Sequence, residues 1–328
     1  MNFRLLRVVA LLALQAGLSA CGNGDNSEAF SAADPSTLCV ASSCGSKTQL
    51  VSIPGAENTL FTPEGRLFVS GSSNVYEITR NDAGWHATPI YAGTCNFTGL
   101  AQRGDVLYAA CFDGNLYAAR LSDQPPALKA IHALGLHAPN GMTTGPDGAL
   151  YIANGPLATS ALPDPRIVRL RFDLADPMKV SEQSDWLTTG LLGPNGLQRR
   201  GNTLLVSDSD PTAAVSLGQI KSVAIQADGS AGKPQVLSSF QSIPDDFSVA
   251  GEDLLTAFYS NGQIALIGAD GSVLSQTDLL SFQNPSSVKP GQPPLFAADD
   301  LVVTEKGVVG LPPTPGYGSM LSVFHRRP

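Results

Sequence analysis

The sequence predicts an all-β chain: a six-bladed β-propeller with a central tunnel, preceded by a signal peptide and a flexible tether. Three observations predict it. A turn, a short strand, a second turn and a longer strand recur, as in Leu191–Asp208, Ala138–Ala153, Ile243–Ala257, Phe97–Ala110 and Gly55–Val69. A sixth, degraded copy begins at Asn284–Val288 and resumes after an insertion at Asp300–Thr304. Aligned copies are spaced 41, 42, 55, 50 and 41 residues apart, from Glu57 through Thr98, Asn140, Asn195 and Asp245 to Ser286. That period, with two visible strands and room for two more, is a propeller blade. Finally, 33 glycines and 24 prolines in 328 residues suit many short strands and turns, and 43% hydrophobic residues suffice for a core.

Taken in order, residues 1–20 read as a lipoprotein signal peptide. Arg4 and Arg7 form its basic start, and the apolar run Val8–Leu18 is too short to span a bilayer. Leu18-Ser-Ala-Cys21 resembles the bacterial lipobox, which makes Cys21 the lipidated mature N-terminus. Gly22 after it favours the outer membrane, so a position in the bacterial cell envelope facing the periplasm is expected. An ordinary signal cleaved near Ala20 is the alternative. Residues 21–46, rich in small polar types, read as the tether, and 47–328 as the propeller.

Unit one pairs Leu67–Val69 with Val75–Ile78, and unit two pairs Val106–Ala109 with Leu116–Leu121. Unit three pairs Ala149–Ala153 with Ile167–Phe172 across a long loop, 154–166. Unit four pairs Thr203–Ser207 with Gly218–Ile225 across another, 208–217. Unit five pairs Leu254–Phe258 with Gln263–Ile267, and unit six pairs Leu301–Thr304 with Met320–Phe324. A strand near 47–53 would close the last blade. No helix is expected after the leader. Long loops on a rigid scaffold are where a pocket rim is expected.

Apart from Cys21, the cysteines are Cys39, Cys44, Cys95 and Cys111. An exported compartment permits disulfides, and four cysteines allow three pairings. Cys39–Cys44 and Cys95–Cys111 are favoured, because Cys95 and Cys111 flank neighbouring ends of an antiparallel pair. No spacing suits zinc. The formal charge of −8 argues against nucleic acid as a partner, since its phosphates attract basic surfaces.

The repeat position carries the chemistry. Asn140-Gly141 and Asn195-Gly196 have turn composition. The same position also supplies Glu57 and Asp245, which turn propensity would not choose. In a closed ring these four meet at the axis. Two carboxylates and two amide carbonyls are hard oxygen donors. They suit calcium, which takes 6–8 oxygens, rather than zinc, copper or iron.

These positions carry a resemblance. The chain resembles the senescence marker protein/gluconolactonase/luciferin-regenerating-enzyme family of six-bladed propellers, and is similar to diisopropyl fluorophosphatase and the paraoxonases. The resemblance implies a calcium held by Glu57, Asn140, Asn195 and Asp245, from blades one, three, four and five. Asn58 and Asp246 match further paraoxonase positions, which implies them as additional ligands and allows a second calcium. The paraoxonase histidine pair has no counterpart. His137, three residues before Asn140, is read as a solvated loop residue, and so is Arg103. The expected activity is calcium-dependent hydrolysis of a lactone or ester, with Asp245 as the catalytic residue, by a monomer taking a small-molecule substrate. The alternative is a non-catalytic, envelope-anchored propeller with structural calcium, binding a partner or small ligand.

Overall fold

The structure is a computed structural model and describes residues 34–155, 162–210, 217–309 and 317–327. The expected signal peptide, Cys21, the start of the expected tether and the middle of both long loops lie outside the described residues. Strand β1 (Gly45–Ser52) comes first in the chain but belongs to the last blade. Blade one is β2 (Thr59–Phe61), β3 (Leu67–Ser70), β4 (Val75–Asn81) and β5 (Gly84–Pro89). Blade two is β6 (Phe97–Arg103), β7 (Val106–Cys111), β8 (Asn115–Arg120) and β9 (Lys129–Ala133). Blade three is β10 (Pro139–Thr144), β11 (Leu150–Asn154), β12 (Arg166–Phe172) and β13 (Val180–Leu187). Blade four is β14 (Pro194–Arg200), β15 (Thr203–Ser209), β16 (Gly218–Ala224) and β17 (Gln235–Phe240). Blade five is β18 (Pro244–Ala250), β19 (Asp253–Phe258), β20 (Gln263–Ile267) and β21 (Val273–Gln276). Blade six is β22 (Pro285–Pro290), β23 (Leu301–Glu305) and β24 (Met320–Arg326), completed by β1.

Every blade is a four-stranded antiparallel meander whose first strand lies innermost. β1 pairs antiparallel with β24 from Gly45↔Arg326 to Ser52↔Met320, so chain start and chain end close the ring together. Closure removes the sheet edges that an open array would expose. Apolar residues alternate out of both faces of the middle strands, because each blade is covered on both sides. The core is accordingly divided into clusters between neighbouring blades. Tyr108 and Ile152 pack between blades two and three, Leu204 and Tyr151 between three and four, and Val302 and Val69 between six and one.

The segment before the propeller is more ordered than its composition suggests. Asp34 caps a three-residue 3-10 helix, Pro35–Thr37, the one helix among the described residues. Cys39 and Val40 are buried against Leu255, Phe282 and Phe324 of blades five and six. Ordered structure therefore begins ahead of residue 47, and β1 itself starts at Gly45. Both expected disulfides, Cys39–Cys44 and Cys95–Cys111, are formed. The second ties the approach to β6 to the end of β7.

The Asn-Gly pairs are not turns. Asn140-Gly141 lies inside β10 and Asn195-Gly196 inside β14. Gly141 faces the next innermost strand so closely that a Cβ there would overlap the Asn195 carbonyl oxygen. The same holds for Gly99 against the Asn140 carbonyl. These glycines are required by close approach of backbones, not by a turn conformation. Gly141→Ala is expected to lose about 2 kcal/mol to overpacking, seen as a melting temperature lower by roughly 5 °C. An unchanged melt would mean that the innermost strands have slack.

Candidate metal centre at the head of the tunnel

A bulge in the innermost strands builds the site. In blade three, Pro139 pairs with Asn154 and Met142 with Ile152, so Asn140 and Gly141 oppose a single residue. The same extra residue falls between Pro194 and Leu197 in blade four, Pro244 and Phe247 in blade five, and Phe97 and Leu100 in blade two. Blade six has its irregularity between Pro285 and Ser287. Bulges re-aim side chains and release backbone groups from the ladder. Here the re-aimed residues are those of the repeat position in blades two to six; in blade one Glu57 stands just ahead of β2.

The released carbonyls are satisfied from the neighbouring blade. Ser70 Oγ in β3 donates to the Thr98 carbonyl, Ser207 Oγ in β15 to the Asp245 carbonyl, and Thr304 Oγ1 in β23 to the Glu57 carbonyl at 2.6 Å. Ser207 Oγ also accepts the Gly196 N–H at 2.7 Å. Thr98 Oγ1 donates to the Pro139 carbonyl at 2.7 Å, and Ser286 Oγ to the Glu57 carbonyl at 2.8 Å. Thr98 and Ser286 are thus spent on the frame, with 0% and 1% exposure. Glu57, Asn140, Asn195 and Asp245, buried too, keep slightly more exposure at 5%, 7%, 7% and 6%.

The four differ in what holds them. Asn195 Nδ2 donates a short hydrogen bond to Asp245 Oδ1. Burial, with the Asp246 carboxylate beside it, pushes the Asp245 carboxyl up to about 8, while the Asn195 bond works against that rise. The Asn140 amide makes no hydrogen bond among the described residues. Glu57 Oε2 is in contact with the ammonium of Lys306, one residue beyond β23. Burial draws the Lys306 amine down to about 7.

Asn58 and Asp246 form a second layer, one residue deeper. Asn58 Nδ2 donates to Asp246 Oδ2 at 2.6 Å, and the Phe247 N–H reaches Asp246 Oδ1 at 2.8 Å. Gln198 Nε2 lies 3.5 Å from the same Oδ1. Burial raises the Asp246 carboxyl, and the Lys289 charge is the largest influence opposing it. The two residues expected as additional ligands are thus bonded to each other across blades one and five through Asn58 Nδ2.

Lys306 is the site residue that the sequence did not reveal. It lies outside the repeat position, and nothing in Glu305-Lys306-Gly307 separates a tunnel lysine from a solvated one. The histidines do not contribute to the ring. His137 is exposed, as expected, while His86, His132 and His325 bond Asn81, Gln183 and Asp300. Arg103 is not the solvated residue expected: it is half-buried, its guanidinium 5.5 Å from the centre of the Phe172 ring.

The donors suit a hard divalent cation. Glu57, Asp245 and Asp246 are three buried carboxylates, and the lysines facing them are Lys306 and Lys289. A cation bound beside them would favour the ionised forms that burial opposes in Asp245 and Asp246, and the amide of Asn140 is unengaged. Oxygen donors without sulfur or imidazole select calcium over softer metals.

No protein-family model matches the sequence, and no curated protein matches it. Solved structures do. The gluconolactonase XC5397 from Xanthomonas campestris aligns with a TM-score of 0.62 at 18% identity, over 86% of this chain and 90% of that one. Regucalcin, a calcium-binding protein from Agrobacterium tumefaciens, gives 0.62 at 17%, over 85% and 93%. Luciferin-regenerating enzyme gives 0.62 at 14%, over 85% and 95%. The resemblance read from the repeat is thus matched in three dimensions, and what these proteins and the chain share is the six-bladed fold.

Lys306→Met leaves Glu57 buried without its cation. In chelator, the variant is expected to lose about 3 kcal/mol of stability, the usual cost of breaking a buried pair, as a lower urea midpoint. A wild-type midpoint would show that Glu57 does not depend on Lys306.

Proposed function

We propose that the chain is a calcium-dependent hydrolase of a lactone or ester, with its active site at the ring. The observation that carries this reading is the recurrence of Glu57, Asn140, Asn195 and Asp245 at one buried repeat position, the last three set in bulges and Asn195 bonded to Asp245. The likeness in fold to a gluconolactonase and a calcium-binding regucalcin supports it. These four residues would hold the ion, and when bound it would polarise the carbonyl oxygen of the ester.

Asp245 is the general base in this reading. Its carboxylate takes a proton from the attacking water as the new carbon–oxygen bond forms. It returns that proton to the leaving alkoxide as the ester bond breaks. Asn195 fixes the orientation of Asp245 through its Nδ2 bond. Asp246 and Asn58 brace the neighbouring backbone, which keeps the reacting carboxylate aimed. Lys306 supplies the positive charge on Glu57 when no metal is present and must withdraw from Oε2 for the ring to load.

Calorimetry after chelation is expected to show calcium binding that is lost in Asn195→Ala and Asp245→Ala. Asp245→Asn is expected to lower hydrolysis of glucono-1,5-lactone or phenyl acetate by at least roughly a hundredfold, the scale of a removed general base. Retained turnover would remove Asp245 from its role. Calcium binding without hydrolysis of any ester would leave the non-catalytic propeller as the better reading.

We also propose that the protein is a monomer, lipid-anchored through Cys21 in the bacterial envelope at the outer membrane facing the periplasm. Cells given labelled palmitate are expected to label the wild type and not Cys21→Ser. Equal labelling of both would refute the anchor.

A further inference from the structure

We propose that the far mouth of the tunnel is a second small-molecule site, which takes a hydroxylated carboxylate monoanion with Lys289 as its ion-pairing group. A cavity of about 550 Å³ opens there. Its walls come from residues two or more positions beyond the ring on all six innermost strands, and from the turns that follow. At about 3.3 Å per strand residue, the Lys289 level lies roughly 10 Å below Ser286. This is the end of the tunnel away from Glu57, Asn140, Asn195 and Asp245. The size falls within the roughly 300–1,000 Å³ of small-molecule pockets.

The lining is cationic in an acidic protein. Lys289, Arg199 and Arg200 contribute to it, and no carboxylate side chain does, whereas the whole chain carries −8. The arginines are engaged. Arg199 Nε and Nη1 donate to the Thr144 and Gly201 carbonyls at 2.9 Å each. Arg200 Nη1 donates to the Glu252 carbonyl at 2.5 Å and lies 3.7 Å from the Glu252 carboxylate. Lys289 is different: its ammonium makes no hydrogen bond and no ion pair among the described residues. Asp246, the acid that faces it from the second layer, influences it electrostatically and is itself bonded to Asn58 and the Phe247 N–H. Gln292 Oε1, also in the lining, is buried without a hydrogen-bond partner.

An unengaged ammonium and an unengaged carbonyl in one cavity need an acceptor anion and a donor hydroxyl. Thr143, Ser248 and Gln198 add polar groups around the same space. A single lysine charge matches one carboxylate. A phosphate would call for the bidentate fork of an arginine, and both forks here are turned to protein carbonyls. The ligand class is therefore a polyhydroxy carboxylate. It is also the class that opening a sugar lactone releases, although the assignment rests on the cavity alone.

The test is titration of the purified protein in chelator, so that the ring carries no calcium, with sodium gluconate, uncharged glucitol and inorganic phosphate. Gluconate is expected to bind, at least tenfold more tightly than glucitol or phosphate, and at least tenfold more weakly to Lys289→Met. Thr143→Phe fills the cavity while leaving the lysine in place, and is expected to abolish gluconate binding as well. Phosphate binding more tightly than gluconate would overturn the carboxylate assignment. Absence of gluconate binding would overturn the site. Binding that survives both variants but is lost in Asn140→Ala would place the ligand at the ring and overturn the second site too, whatever becomes of the hydrolase reading.

Discussion

The structure depends on how closely six innermost strands can approach one axis. Where backbones crowd, glycine is the residue that fits: Gly99 and Gly141 each lie against the carbonyl of the next strand's repeat residue. The bulge at this level solves the second half of the problem. It turns the repeat residue toward the tunnel and frees a carbonyl, which a hydroxyl of the adjacent blade then binds. Ser70, Ser207 and Thr304 are those hydroxyls, so the polar site is held by contacts between blades rather than within them.

Crowding also sets the electrostatics. Asp245 and Asp246 of blade five are buried side by side, and the Asp246 carboxylate raises the cost of ionising Asp245. The chain answers with two lysines from blade six, one at each level. Lys306 meets Glu57, and Lys289 faces Asp246. Blade six thus supplies the lysines that face the buried carboxylates of blades one and five.

Much of this was legible in the sequence, for a definite reason. Blade strands pair with their immediate neighbours, so the fold is written locally: a hydrophobic run, a turn and another run. The axial position was legible because Glu57 and Asp245 broke the turn composition of Asn140-Gly141 and Asn195-Gly196. That those Asn-Gly pairs sit in strands was not legible, because the demand for glycine comes from another blade. Lys306 was hidden for the same reason, since its partner Glu57 stands 249 positions away. Arg103 read as solvated because its packing surface, Phe172, belongs to the next repeat. The segment 34–46 read as tether because its composition is polar, yet Cys39 and Val40 find their cover on blades five and six.

The closure of blade six has a mechanical side. Gly45, the first residue of β1, pairs with Arg326 near the chain end, so tension from upstream would peel the β1–β24 ladder rung by rung instead of shearing it. Peeling is the weak direction for a sheet. Ahead of the first rung, however, stand the Cys39–Cys44 loop and the buried Val40. Any pull arriving through Asp34 must first dislodge that plug from Leu255 and Phe282. The disulfide keeps the buried loop closed, so the plug rather than the first rung meets the load, a strain relief of the kind fitted where a cable enters its housing.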